Sequence, residues 1–439
     1  MGEDLHMKTK KILFRSIKFI LYIFIILLHY SCQNPPATEN NDDNDTIPNA
    51  MPQEHIPWPS LADSPWPMYK HDPQLTGRSS FSGPSEGVTD WVYSPEDGYM
   101  SESGIVIGLG STLYFGDATG GNQDSGNLVA LSAGGNLKWK FNIEGHAVTN
   151  TPLVRFDGSI LIGSWSGKFY AINTDGTILW QYDAGSGIYT ETANIDKIGN
   201  IYFTTRDGSL ISLTPKGEER FRQNFGEYRT AWGIAFAPNS THLYVGVRQS
   251  GLFAVDTTGN VLWTYETEQG SIWSIPAVDS QGNVYFIWTH RFWQPDSLAH
   301  AVVCLDPEGD VRWSFPFGEY PSTPGIGLTI DNNGHIYFSN WTEKILYALH
   351  YNGTLKWSFD MGDSLGTGQL DTEFICDSND QIYFGSSFDS YYSFTGDGSF
   401  RWSYNVGDVQ FSFNPPAIGA NGMMYVITLK WPHKIFAFQ

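Results

Sequence analysis

The stretch Lys168-Phe169-Tyr170-Ala171-Ile172-Asn173-Thr174-Asp175-Gly176-Thr177-Ile178-Leu179-Trp180 decides the fold, because the chain repeats it. It reads as a bulky strand holding one small residue, a turn of Asn, Asp and Gly, and a second strand. Counterparts of Trp180 recur at Trp91, Trp139, Phe221, Trp263, Trp313, Trp357 and Trp402, 41 to 50 residues apart. Each stands four residues after a glycine: Gly87, Gly135, Gly176, Gly217, Gly259, Gly309, Gly353 and Gly398. A glycine at a fixed offset before a strand is what a tight turn with positive φ demands. Two further signals keep step. One is an apolar–aromatic triplet centred on Tyr114, Leu161, Tyr202, Tyr244, Tyr285, Tyr337, Tyr383 and Tyr425. The other is the small residue at Ala130, Ala171, Ser212, Ala254, Cys304, Ala348, Ser393 and Ala437.

Each repeat therefore holds four short strands, predicted in the sixth over 325–330, 335–340, 344–350 and 354–359. Four strands per repeat, arranged radially, predict an all-β, eight-bladed β-propeller of antiparallel blades. The last repeat reaches its third strand at 435–438, and 88–94 reads as a lone fourth strand. Joined, they complete the eighth blade and leave no open edge.

Composition agrees. Glycine is 46 of 439 residues and aromatics reach 15%, while charged residues are only 16%. That excludes a coiled coil or a wholly disordered chain. Net charge is −21; without the five basic and two acidic residues of 1–32 it is −24. So acidic a surface repels phosphate backbones, and nucleic acid is not an expected partner.

The N-terminus reads as an export signal. Lys8, Lys10, Lys11, Arg15 and Lys18 precede ten apolar residues, Phe19–Leu28, too few to span a bilayer as a helix. Ser31-Cys32 follows and resembles a bacterial lipoprotein signal, with Cys32 the lipidated residue; His29 departs from that pattern. The predicted organisation is a signal peptide over 1–32, a disordered acidic tether over 33–60, an entry segment over 61–87 and the propeller over 88–439.

From Trp66 to the C-terminus the chain resembles the pyrroloquinoline-quinone (PQQ)-like eight-bladed propeller family, which spans BamB-like lipoproteins and quinoprotein dehydrogenases. Phe169-Tyr170-Ala171-Ile172 leading to Gly176 and Trp180 carries the likeness. So does Trp66-Pro67-Met68-Tyr69 followed by Asp72-Pro73, Gly77-Arg78 and Gly83-Pro84, which resembles the segment that precedes many such propellers. The resemblance implies structural docking of Trp91, Trp139, Trp180, Phe221, Trp263, Trp313, Trp357 and Trp402 onto neighbouring blades. Quinoprotein dehydrogenases use adjacent cysteines, a bound Ca²⁺ and a catalytic Asp. Here the cysteines are Cys32, Cys304 and Cys376, none adjacent. Cys304 and Cys376 are expected to be free. Carboxylates in the turns Asp279–Gly282, Asp306–Gly309 and Asp331–Gly334 read as turn formers rather than metal ligands. No cofactor, metal or catalytic residue is expected, and the chain reads as not an enzyme; the alternative is a PQQ- and calcium-dependent oxidoreductase.

The expected ligand-binding face lies on the turns between second and third strands and on the connectors between blades. It holds Trp165, Trp341, Phe388 and Trp431, an insertion over 288–300 with Trp288, Arg291 and Trp293, and the connector residues Tyr189, Arg229 and Trp273. Aromatics interleaved with basic residues are what binding hot spots are made of; the competing reading is mutual packing. The expectation is a monomeric scaffold, lipid-anchored at the bacterial outer membrane, whose face takes a protein or glycan partner.

Overall fold

Burial separates two kinds of strand. In the fourth strand of a repeat, exposed and half-buried residues alternate, as in Ile178–Asp183, the pattern of a strand with one wet face. The second and third strands, such as Ile160–Gly163 and Lys168–Ile172, are buried almost throughout. They lie between neighbouring sheets, so both faces must be apolar. In this computed structural model the described residues are 47–95, 103–118, 126–143, 150–188, 193–226, 231–267, 270–290, 300–318, 327–362, 370, 372–386, 390–405, 415–428 and 434–439.

These residues form eight antiparallel sheets, one per blade of the ring. Blade 1 is Val106–Ile107, Leu113–Gly116, Gly126–Leu131 and Leu137–Ile143. Blade 6 is Thr329–Ile330, Ile336–Asn340, Ile345–Leu349 and Leu355–Asp360, close to the expected bounds but with a short described inner strand. Blade 5 differs: Gly270–Ile272 and Ala277–Val278 both pair with a long second strand, Val284–His290. In blade 8, Thr89–Tyr93 pairs with Ile435–Phe438, Trp91 opposite Ala437.

The repeated Gly–Trp pair is the joint between blades. The indole of Trp139 donates from Nε1 to Thr174 O of the next blade at 2.9 Å, and that of Trp313 to Tyr351 O at 3.1 Å. Each ring lies against the next blade's glycine. A Cβ on Gly176 would stand 2.9 Å from Trp139, and one on Gly353 only 2.4 Å from Trp313. The glycine thus has two reasons, a positive φ (85° at Gly176) and the ring pressed on it. Gly87 is outside the positive-φ set and keeps only the second reason, facing Trp402. Behind seven of the eight docking aromatics sits the tyrosine of its own second strand, as in Tyr285–Trp313, with centroids 5.8 Å apart; blade 2 has Leu161 there, and Trp180 stacks on Phe169 instead.

Antiparallel blades put first-to-second and third-to-fourth turns at one end of the ring. Second-to-third turns and interblade connectors lie at the other. The segment before the propeller closes the first end. Thr76 O and Gly77 O accept from Ile330 N and Cys376 N, and Pro73 O from Phe236 N, each bond at the inner strand of a different blade. Residues 49–60, assigned to the tether from composition, are also bonded there. Met51 N donates to Asn333 O at 2.8 Å, and Trp58 Nε1 to Ile195 O at 2.8 Å. Trp58 supplies the apolar anchor that the Asn- and Asp-rich stretch before it lacks.

Candidate functional site

The expected face is built on a regular frame. In blades 2, 3 and 6 the residue after the fourth strand donates to a carbonyl of the second-to-third turn: Ala184 N to Gly167 O, Phe225 N to Gly208 O, Met361 N to Lys344 O. The connector then crosses to the next blade, where Arg206 N donates to Gly187 O at 2.8 Å. The glycines at this crossing admit backbone: a Cβ on Gly187 would stand 2.7 Å from Trp165 O. This crossing holds Trp165 at the surface, 39% exposed.

Two further expected residues, Trp273 and Trp341, lie among the described residues of this face. The Arg248 guanidinium lies over the Trp273 ring at 5.1 Å, joining the turn of blade 4 to its connector. Trp341 is half-buried at the turn of blade 6, beside Lys344 (φ 58°). Among the described residues, neither Trp341 Nε1 nor the adjacent, buried Asn340 Nδ2 has a hydrogen-bond partner. Two buried donors side by side without acceptors are uncommon in folded proteins.

Trp288 is not in a turn. It lies inside the second strand of blade 5, pairs with Ile272 and is only 7% exposed. The strand runs on because Gly270–Ile272 forms an extra pairing for it, and Gly270 leaves room for the indole. The expected site residues Tyr189, Arg229, Arg291, Trp293, Phe388 and Trp431 lie outside the described residues, as does Cys32.

The turn carboxylates at the opposite end are committed to structure. Asp279 Oδ1 accepts from Gln281 N at 3.0 Å and Asn283 N at 2.8 Å; its Oδ2 accepts from Tyr285 Oη at 2.8 Å. The Asp196–Tyr202, Asp331–Tyr337 and Asp377–Tyr383 pairs repeat the arrangement. Burial raises the Asp279 carboxyl above the usual range despite these bonds. At Asp331 burial acts the same way, but hydrogen bonding and charge from His335 overcome it and the net direction is down. Cys304 and Cys376 are free and fully buried in separate blades, and burial pushes both thiols up.

One cluster had no local signal in the sequence. Lys70 and Glu373, 303 residues apart, form a buried ion pair at 3.1 Å. Tyr69 Oη donates to the Glu373 carboxylate, and Lys70 Nζ to Leu328 O. Lys70 and His71 both have positive φ, at 53° and 76°. The Trp66–Tyr69 pattern marked this segment, but nothing near Glu373 announced its partner.

A curated relative, pentonolactonase XacC of Haloferax volcanii, is 26% identical over 212 residues, covering 44% of this chain and 69% of the relative. Among solved structures, BamB from Moraxella catarrhalis superposes with a TM-score of 0.59 at 17% identity, over 80% of this chain and 97% of that one. A europium-containing methanol dehydrogenase superposes with a TM-score of 0.64 at 11% identity, over 85% and 98%. At these identities the two structures show the fold alone. The expectation that the chain is not an enzyme is overturned by its likeness to a relative named for an activity. It rested on the absence of adjacent cysteines and on reading the turn carboxylates as turn formers, neither of which bears on every chemistry. The family described as outer membrane protein assembly factor BamB matches residues 124–220 and 248–412, more than half of the chain, and the protein belongs to that family.

Proposed function

We propose that this propeller is an envelope scaffold, held at the outer membrane through Cys32, that takes a protein partner on its second-to-third-turn face. The observation that carries the reading is the asymmetry of the two ends. The centre of one end is covered by the chain's own N-terminal segment, bonded at the inner strands; the other end presents Trp165, Trp341 and the Arg248–Trp273 stack. Aromatic and arginine side chains are the usual anchors of protein interfaces. Cations on a protein of net −21 steer an anionic or mixed-charge partner toward them. The family name supports a partner in outer-membrane protein assembly. Photo-crosslinking from positions 165 and 341 in intact cells tests this. Adducts to an outer-membrane assembly protein are expected, and their absence from both positions rejects the reading.

The pentonolactonase relative favours a second reading, an enzyme acting on a sugar-acid lactone. Turnover of pentonolactones by the full chain, with and without added divalent cations, would establish it. The quinone arrangement fits less well. The resemblance calls for adjacent cysteines, and Cys304 and Cys376 are buried in different sheets.

A further inference from the structure

Leu109, Phe156 and Ile198 stand at the first-to-second-strand turns of blades 1, 2 and 3, and are 42%, 64% and 81% exposed. The same turns of blades 4 to 7 carry polar residues: Asn239 and Ser240, Ser280 and Gln281, Asn332 and Asn333, Ser378 and Asn379. Such turns call for Asn, Asp, Ser or Gly. Backbone geometry therefore does not explain the three apolar side chains, and at these exposures core packing does not either.

The three belong to one surface. Leu109 Cδ1 lies 3.2 Å from where a Cβ on Gly158 would stand, two residues from Phe156. Arg155 donates to Pro215 O at 2.8 Å, and Pro215 in turn lies 3.3 Å from the Cβ position of Gly199, next to Ile198. Beside these tips lies a groove of about 400 Å³ lined by Ile56, Pro57, Trp58, Pro59, Leu61 and Phe156. Lys216 is exposed beside Pro215.

We propose that this end of the ring rests on a lipid bilayer, with Leu109, Phe156 and Ile198 entering the interfacial region. Two observations choose a bilayer as the occupant. The stretch from Cys32 to Thr46, which the anchor proposed above leaves as the tether, leads into the propeller at this end, where Met51 and Gln53 bond the turn of blade 6. Apolar side chains standing out from three adjacent turns also suit the boundary between headgroups and acyl chains, although the exposed Asp157 and Asp63 border them as well as Lys216. A protein filling the groove alone would leave the outstanding tips uncovered. The inference rests on the membrane attachment proposed above, and it points the aromatic–basic face away from the membrane.

The test uses the full chain with single bimane labels on Phe156→Cys, Ile198→Cys and, at the opposite end, Thr342→Cys. The signal of the parental chain, labelled only where its own cysteines react, is subtracted. Vesicles of phosphatidylethanolamine and phosphatidylglycerol carry a doxyl-labelled lipid as quencher. Loss of fluorescence at positions 156 and 198, with none at 342, is expected. Quenching at 342 alone, equal quenching at all three, or no vesicle binding overturns the assignment. The Cys32→Ser chain separates the two ideas. If it still binds vesicles with quenched tips, the lipid anchor fails and the orientation stands; if only the unsubstituted chain binds, without tip quenching, the anchor stands and the orientation fails.

Discussion

Gly87 lies against the indole of Trp402, so close that a Cβ on the glycine would stand 2.7 Å from the ring. This contact ties blade 7 to the N-terminal strand of blade 8, and Trp91 carries the tie onward by donating to Ala133 O of blade 1 at 3.0 Å. Trp402→Ala is expected to cost about 3–5 kcal/mol in denaturant unfolding. Gly87→Val should cost about 1–3 kcal/mol by overpacking, without any φ penalty. Changes below about 0.5 kcal/mol in both, the range of ordinary surface substitutions, would mean the ring is not held there.

The Lys70–Glu373 pair makes a second stability prediction. Lys70→Met leaves a buried carboxylate without its cation and is expected to cost about 3–5 kcal/mol. Lys70→Met combined with Glu373→Met should recover much of that loss, because two charges are then spared desolvation. A double variant as unstable as the sum of the singles would show that the pair has no mutual coupling.

Acid should loosen the fold through imidazoles. Burial holds His242 and His350 below the ordinary 6.5, and at His350 the charges of His335 and Lys356 add to it. Neutral in the fold, they take up protons more readily when unfolded, so their contribution is present above pH 6.5 and lost as pH falls below it. Asp117, Asp279 and Asp380, raised by burial, act in the opposite sense. The comparison is therefore between the parental chain and His242→Gln/His350→Gln. The variant's melting midpoint should fall less from about pH 7 to about pH 5. Parallel curves would refute the imidazole contribution.

Much of the architecture was legible because a ring of like blades must repeat its joint, and the joint is one aromatic and one glycine at fixed spacing. Legibility ended where contacts join distant or differently paired segments. The Asp–Tyr bonds at a spacing of six were open to reading, since Asp279/Tyr285 and Asp331/Tyr337 recur at the same offset. Lys70 and Glu373 were not, because only the folded ring brings them together. Trp288 looked like a loop residue because its repeat is long, yet an extra inner pairing extends the strand around it. On the aromatic face, the pattern of turn and connector aromatics pointed to Trp165 and Trp273, and only the fold shows Arg248 stacked on the latter.

The central claim is that the second-to-third-turn face takes the partner. The most direct measurement is made on the Trp165→Ala/Trp341→Ala full chain, by quantitative capture of an identified outer-membrane assembly protein from solubilised envelopes alongside the melting midpoint. Capture should be lost while stability falls by no more than about 1–2 kcal/mol, as for partly exposed side chains. Capture retained at parental levels, with a much larger loss of stability, would show that these tryptophans pack the propeller and that the partner binds elsewhere.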